Sequence, residues 1–60
     1  MKPGDYVEKF AGESERGKRG TLLEIKENAA GNTLVHVLTE DGEVKVWFSE
    51  FVKRVEGTDG

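Results

Sequence analysis

The sequence predicts an all-β domain in which five short strands close into a small barrel, with one helical turn before the last strand. Three observations lead there. Apolar segments only a few residues long recur along all 60 residues, separated by Gly, Asn and Asp. Asp41-Gly42 sits between two such segments, the strongest short-range hairpin signal. Several strands in so short a chain would leave exposed edges, and closure removes them.

The elements follow in order. Pro3-Gly4 opens a turn in which Asp5 accepts backbone N–H bonds. Tyr6 to Phe10 is the first strand, with Val7 and Phe10 as its inward candidates. Ala11 to Arg19 is a long polar loop containing Gly12 and Gly17. Gly20 to Lys26 is the second strand. Its consecutive Leu22 and Leu23 break strict alternation, which predicts a bulge. Asn28 to Asn32 is a turn, and Thr33 to Thr39 is the third strand. Glu43 to Trp47 is the fourth. Ser49-Glu50-Phe51 makes the helical turn with Ser49 as its cap. Val52 to Val55 completes the barrel. Residues 1–56 form one domain, and 57–60 read as a frayed tail.

Composition narrows the function classes. A chain of this size buries only about 60% of its unfolded surface, so its stability margin is thin. It has no cysteine to brace it and a single histidine, His36, too few for a structural zinc site. Self-association is one remaining source of stability. Nine basic and twelve acidic residues give a net charge of −3, an ordinary solubilising balance. No apolar run reaches the roughly 20 residues of a membrane span. The N-terminus lacks an apolar signal region. A cytoplasmic protein with no metal, no cofactor and no membrane contact is therefore expected.

The hairpin allows a face assignment. With Asp41-Gly42 as a two-residue loop, Val37 pairs with Val46, whereas a three-residue Glu40-Asp41-Gly42 loop with a bulge would reassign the faces. Val35, Val37, Val44 and Val46 then form the core face. Leu34, His36, Leu38, Lys45 and Trp47 share the opposite face, an apolar patch of the kind that marks interfaces. Trp47 is either its anchor or a lid over one barrel end, covered by the first loop.

Other constellations carry less chemistry. His36 has no nucleophile and orienting acid at a spacing that suggests a triad, and no catalytic residue is assigned. Glu13, Glu15, Glu40, Asp41 and Glu43 read as solvated loop carboxylates. Arg16, Lys18 and Arg19, interleaved with Gly17 and Gly20, are the one concentrated basic segment. With Lys53 they form a candidate phosphate-contacting set. Phe51 is expected in the core.

Two resemblances extend this reading. Gly4-Asp5-Tyr6-Val7 followed by Gly17-Lys18-Arg19-Gly20-Thr21-Leu22-Leu23-Glu24-Ile25 resembles the KOW motif of ribosomal and transcription-elongation proteins. That resemblance implies a Src-homology-3-like (SH3-like) barrel that binds RNA or a protein of a nucleic-acid machine. The order of segments through Val44-Lys45-Val46-Trp47 also looks like plasmid-borne type II dihydrofolate reductase, a small barrel assembled as a tetramer around a shared pore. There a Val-Gln-Ile-Tyr motif lines the pore. Lys45 stands here in place of its glutamine and Trp47 in place of its tyrosine.

The leading expectation is a non-enzymatic SH3-like module that binds a protein partner or assembles with itself through Leu34, His36, Leu38, Lys45 and Trp47. The alternatives are a KOW-like nucleic-acid-binding module and a pore enzyme of the reductase type.

Overall fold

The structure is a computed structural model that describes residues 1–55. The expected tail lies outside the described residues. Five strands form one antiparallel sheet: β1 (Tyr6–Lys9), β2 (Arg19–Glu27), β3 (Thr33–Thr39), β4 (Val44–Phe48) and β5 (Val52–Arg54). A 3-10 turn, Ser49–Phe51, precedes β5. The spatial order is β4-β3-β2-β1-β5, so β4 and β5 are the two ends, and among the described residues no ladder joins them. The all-β class and the helical turn agree with the sequence. Ser49, however, does not cap the turn. Phe48 occupies that position, and no side chain bonds there.

β2 is the spine of the sheet. Its first residues pair with β1, while Gly20 to Glu27 pair with β3. The register shifts between Leu22 and Glu24, where the double leucine predicts a bulge. The extra residue lets Leu22 point inward while Leu23 stays exposed. Gly20 is required where β2 is paired with both β1 and β3: a Cβ there would lie 2.1 Å from the Leu38 carbonyl oxygen.

The β3–β4 hairpin corrects the face assignment. Val37 pairs with Lys45 and His36 with Val46, one residue away from the expected register. The loop has three residues, Glu40-Asp41-Gly42, and Gly42 takes a positive φ of 89°. Thr39 organises it. The Thr39 N–H donates to the Glu43 carbonyl at 2.7 Å, and its own carbonyl accepts from the Gly42 N–H at 3.0 Å. The Thr39 hydroxyl then accepts the Glu43 N–H at 3.2 Å and donates to Asp41. A one-residue slip exchanges the two faces of a strand. Trp47 therefore joins Val35 and Val37 inside, and Val44 and Val46 are turned out.

Val7, Leu22, Val35, Val37, Trp47 and Val52 form the buried apolar cluster among the described residues. Phe10 is exposed rather than inward, because β1 alternates and Val7 and Lys9 take the inner positions. Phe51 is half-buried at the margin, edge-on to Phe48 at 5.9 Å between ring centres.

Candidate protein-contact surface at the edge strand

The outer face of β3 and β4 is built from three cross-strand rows. Leu38 lies opposite Val44, His36 opposite Val46, and Leu34 opposite Phe48. Val44 and Val46 are 58% and 50% exposed, and Leu38 and Phe48 are comparably open. Leu34 and His36 are half-buried between their neighbours. Five of the six side chains are apolar, and the sixth is the single imidazole. The expected contact set is thus divided by the sheet. Leu34, His36 and Leu38 share this face, while Lys45 and Trp47 lie on the other. Val44, Val46 and Phe48 take their places outside.

The backbone adds a second property. Antiparallel ladders bond every other opposed pair. The Thr39–Glu43 bond sets the phase, so the next bonded pairs are Val37–Lys45 and Val35–Trp47. The amides of Val44, Val46 and Phe48 therefore point away from β3. Among the described residues no loop or side chain donates to or accepts from Val44 or Val46 across that edge. The same residues thus present apolar side chains and a free row of amides.

Beside the end of this edge lies a groove of about 320 Å³, walled by Leu34, Val46, Trp47, Phe48 and Phe51. Lys9 sits at its margin, 4% exposed. Its ammonium donates to the carbonyls of Ala11 at 2.7 Å and Ser14 at 2.6 Å, and lies 5.3 Å from the centre of the Phe51 ring. The lysine acts as an internal staple for the first loop. Gly12 permits this closure, since a Cβ there would meet the Lys9 nitrogen at 2.5 Å. The sequence signal was the inward parity of Lys9 with Val7.

The first loop is latched over the inner face of β4. The Trp47 Nε1–H donates to Glu15 Oε1 at 2.8 Å, and Lys45 Nζ lies 2.9 Å from Glu15 Oε2. Trp47 is thereby the loop-covered lid of the two roles open to it, at 5% exposure. Glu15 itself has a φ of 59°, a left-handed conformation uncommon outside glycine, which the two partners hold in place. The indole N–H, and then Lys45, hold the Glu15 carboxyl below the usual carboxylate range. Glu15, with Glu43, raises Lys45 above the usual lysine range.

The sign of the pH effect follows. A carboxyl depressed on folding stabilises the fold fully above its unfolded pKa, and the gain is lost as pH falls through its folded value. Lys45 acts oppositely, losing its contribution as pH rises through its raised value. Urea midpoints should therefore fall on acidification below the ordinary glutamate range, and less steeply in Glu15→Gln. Parallel pH profiles for the two proteins would show that the latch adds nothing.

The basic residues fall elsewhere. Lys18 pairs with Asp41 at 3.3 Å and Arg19 with Glu8 at 3.5 Å. Lys53 is opposite Glu8 in the β1–β5 ladder and lies 5.8 Å from the Phe10 ring centre. Arg16 is exposed on the first loop. Arg19, Glu8 and Lys53 thus form one charge-alternating row across the sheet. Gly20, part of the basic run, serves the close approach of β2 to β3. The loop carboxylates are also engaged: Glu40 accepts from the Tyr6 hydroxyl, Asp41 from Thr39, and Glu43 pairs with Lys45 at 3.3 Å.

No protein-family model, curated protein or solved structure matches the chain.

Proposed function

We propose that the protein is a non-enzymatic interaction module of the SH3-like barrel type, which binds protein through the outer face of β3 and β4 and the free edge of β4. The barrel reading is supported by the long β2, shared between β1 and β3, and by the bulge that bends it at Leu22–Glu24. One observation carries the function. Val44, Val46 and Phe48 expose apolar side chains on an edge strand whose outward amides have no partner among the described residues.

Natural sheets guard such edges with lysine, inward-pointing charges, proline, bulges or extreme shortness. The outward side of β4 carries no charge and no proline. Its one charged residue, Lys45, points inward, where Glu15 and Glu43 neutralise it, so it sets no bare charge against an incoming strand. An unguarded apolar edge is retained where something covers it.

A photo-crosslinking residue at position 46 tests this against the same residue at position 26, on β2. Position 46 is expected to form defined protein adducts that compete away with unlabelled protein, and position 26 few. Equal labelling at both positions would refute the β4 surface.

A further inference from the structure

We infer that the occupant of the β4 edge is a second copy of this chain, paired antiparallel with β4 about a two-fold axis through Val46. The inference rests on the protein-binding reading above and names its partner.

The two ends of the sheet are unequal. β5 is only three residues long and carries Lys53 and Arg54, the usual means of guarding an edge. β4 is longer, and its outward side chains are uncharged. Head-to-tail pairing of β4 on β5 would therefore meet a guarded edge. Pairing of β4 with itself joins two open ones and closes after two copies, as a two-fold contact does.

The strand is complementary to itself in one register. Setting Val46 against Val46 places Val44 of each copy opposite Phe48 of the other. All three residues with outward amides then face residues with outward amides, so the two free rows satisfy each other. A shift of two residues one way puts Gly42 opposite Phe48. The same shift the other way puts Val44 opposite Glu50. Only the central register matches apolar residues throughout.

The side chains agree with the backbone. Val44, the most exposed apolar residue of the outer face, is delivered beside Phe48, which walls the groove. The paired outer row of Val44, Val46 and Phe48 contains no charge to repel its copy. On the inner face Lys45 of each copy comes opposite Trp47 of the other. Its charge is already balanced there by Glu15 and Glu43. The result is a continuous ten-stranded sheet from two copies, each with a buried apolar cluster of six residues.

The absence of cysteine makes the register directly readable. In full-length protein, Val46→Cys is expected to give a covalent dimer with a short bis-maleimide. Val44→Cys alone should not, because its two copies lie about 13 Å apart along the strands at ~3.3 Å per residue. An equal mixture of Val44→Cys and Phe48→Cys should crosslink as a mixed pair. Sedimentation of wild-type protein should show a monomer–dimer equilibrium. Val46→Lys, which sets two lysines face to face, should raise the dissociation constant about tenfold or more while keeping the wild-type circular dichroism.

A wild-type monomer at every concentration overturns the dimer but leaves the β4 surface open to another protein, which the adducts at position 46 report separately. A dimer that ignores Val46→Lys, or crosslinks equally through Val44→Cys alone, overturns the register and with it this inference.

Discussion

Replacing Trp47 by alanine is expected to destabilise the protein by about 3–5 kcal/mol, the range for removing a large aromatic from a core. Trp47 is the largest side chain of a six-residue apolar cluster. It also donates the indole hydrogen bond that fixes Glu15, so its loss frees the first loop as well as opening a cavity. In a domain of this size each kcal/mol moves Tm by roughly 4–8 °C. The melting temperature should therefore drop by at least about 12 °C, and much of the protein should be unfolded at ambient temperature. Trp47→Phe keeps most of the packing, loses the N–H and should fall between. A Trp47→Ala protein that melted like wild type would place the indole outside the core.

Gly20→Ala is expected to rank next, at about 3 kcal/mol, the upper end of ordinary overpacking. The added methyl would meet the Leu38 carbonyl oxygen at 2.1 Å and the Thr39 Cα at 2.7 Å. Both are backbone atoms of β3, so no rotamer change relieves the clash, and β2 and β3 must separate. Gly17→Ala is the control. Gly17 has a positive φ of 96° but nothing near its missing Cβ, so its cost is conformational only. Urea unfolding of both variants should show the larger loss at Gly20. The reverse order would contradict the β2–β3 register.

Strand order along the chain was legible because apolar runs, turn glycines and the double leucine are local signals. Thr33–Thr39 and Ser49–Phe51 fall where the sequence places them. The faces of the hairpin were not legible from Asp41-Gly42 alone. That dipeptide fits a two-residue loop, and also a three-residue loop with Gly42 in the left-handed position. The choice is made by Thr39, whose hydroxyl replaces its backbone carbonyl as the acceptor for Glu43. Burial of one indole with Val35 and Val37 then outweighs burial of two valines.

The roles of Glu15 and Lys9 were not legible for a related reason. Glu15 reads as one more loop carboxylate until the loop folds back 32 positions to meet Trp47. Lys9 follows the inward parity of Val7, yet a lysine inside a strand is credible only once the carbonyls of Ala11 and Ser14 are seen to receive it. Both depend on contacts that no local pattern encodes. The outer face was half legible: Leu34, His36 and Leu38 share one face as the alternation of β3 predicts, and the register decides which side of β4 joins them.

The proposed contact surface depends on that register, and cross-strand nuclear Overhauser contacts between backbone Hα protons of β3 and β4 test it most directly. Close Hα pairs occur at the non-hydrogen-bonded positions of an antiparallel ladder. Hα contacts are expected between Leu38 and Val44 and between His36 and Val46. A direct Val37–Val46 pairing instead would turn Val44 and Val46 inward and Trp47 outward, and would contradict the proposed surface.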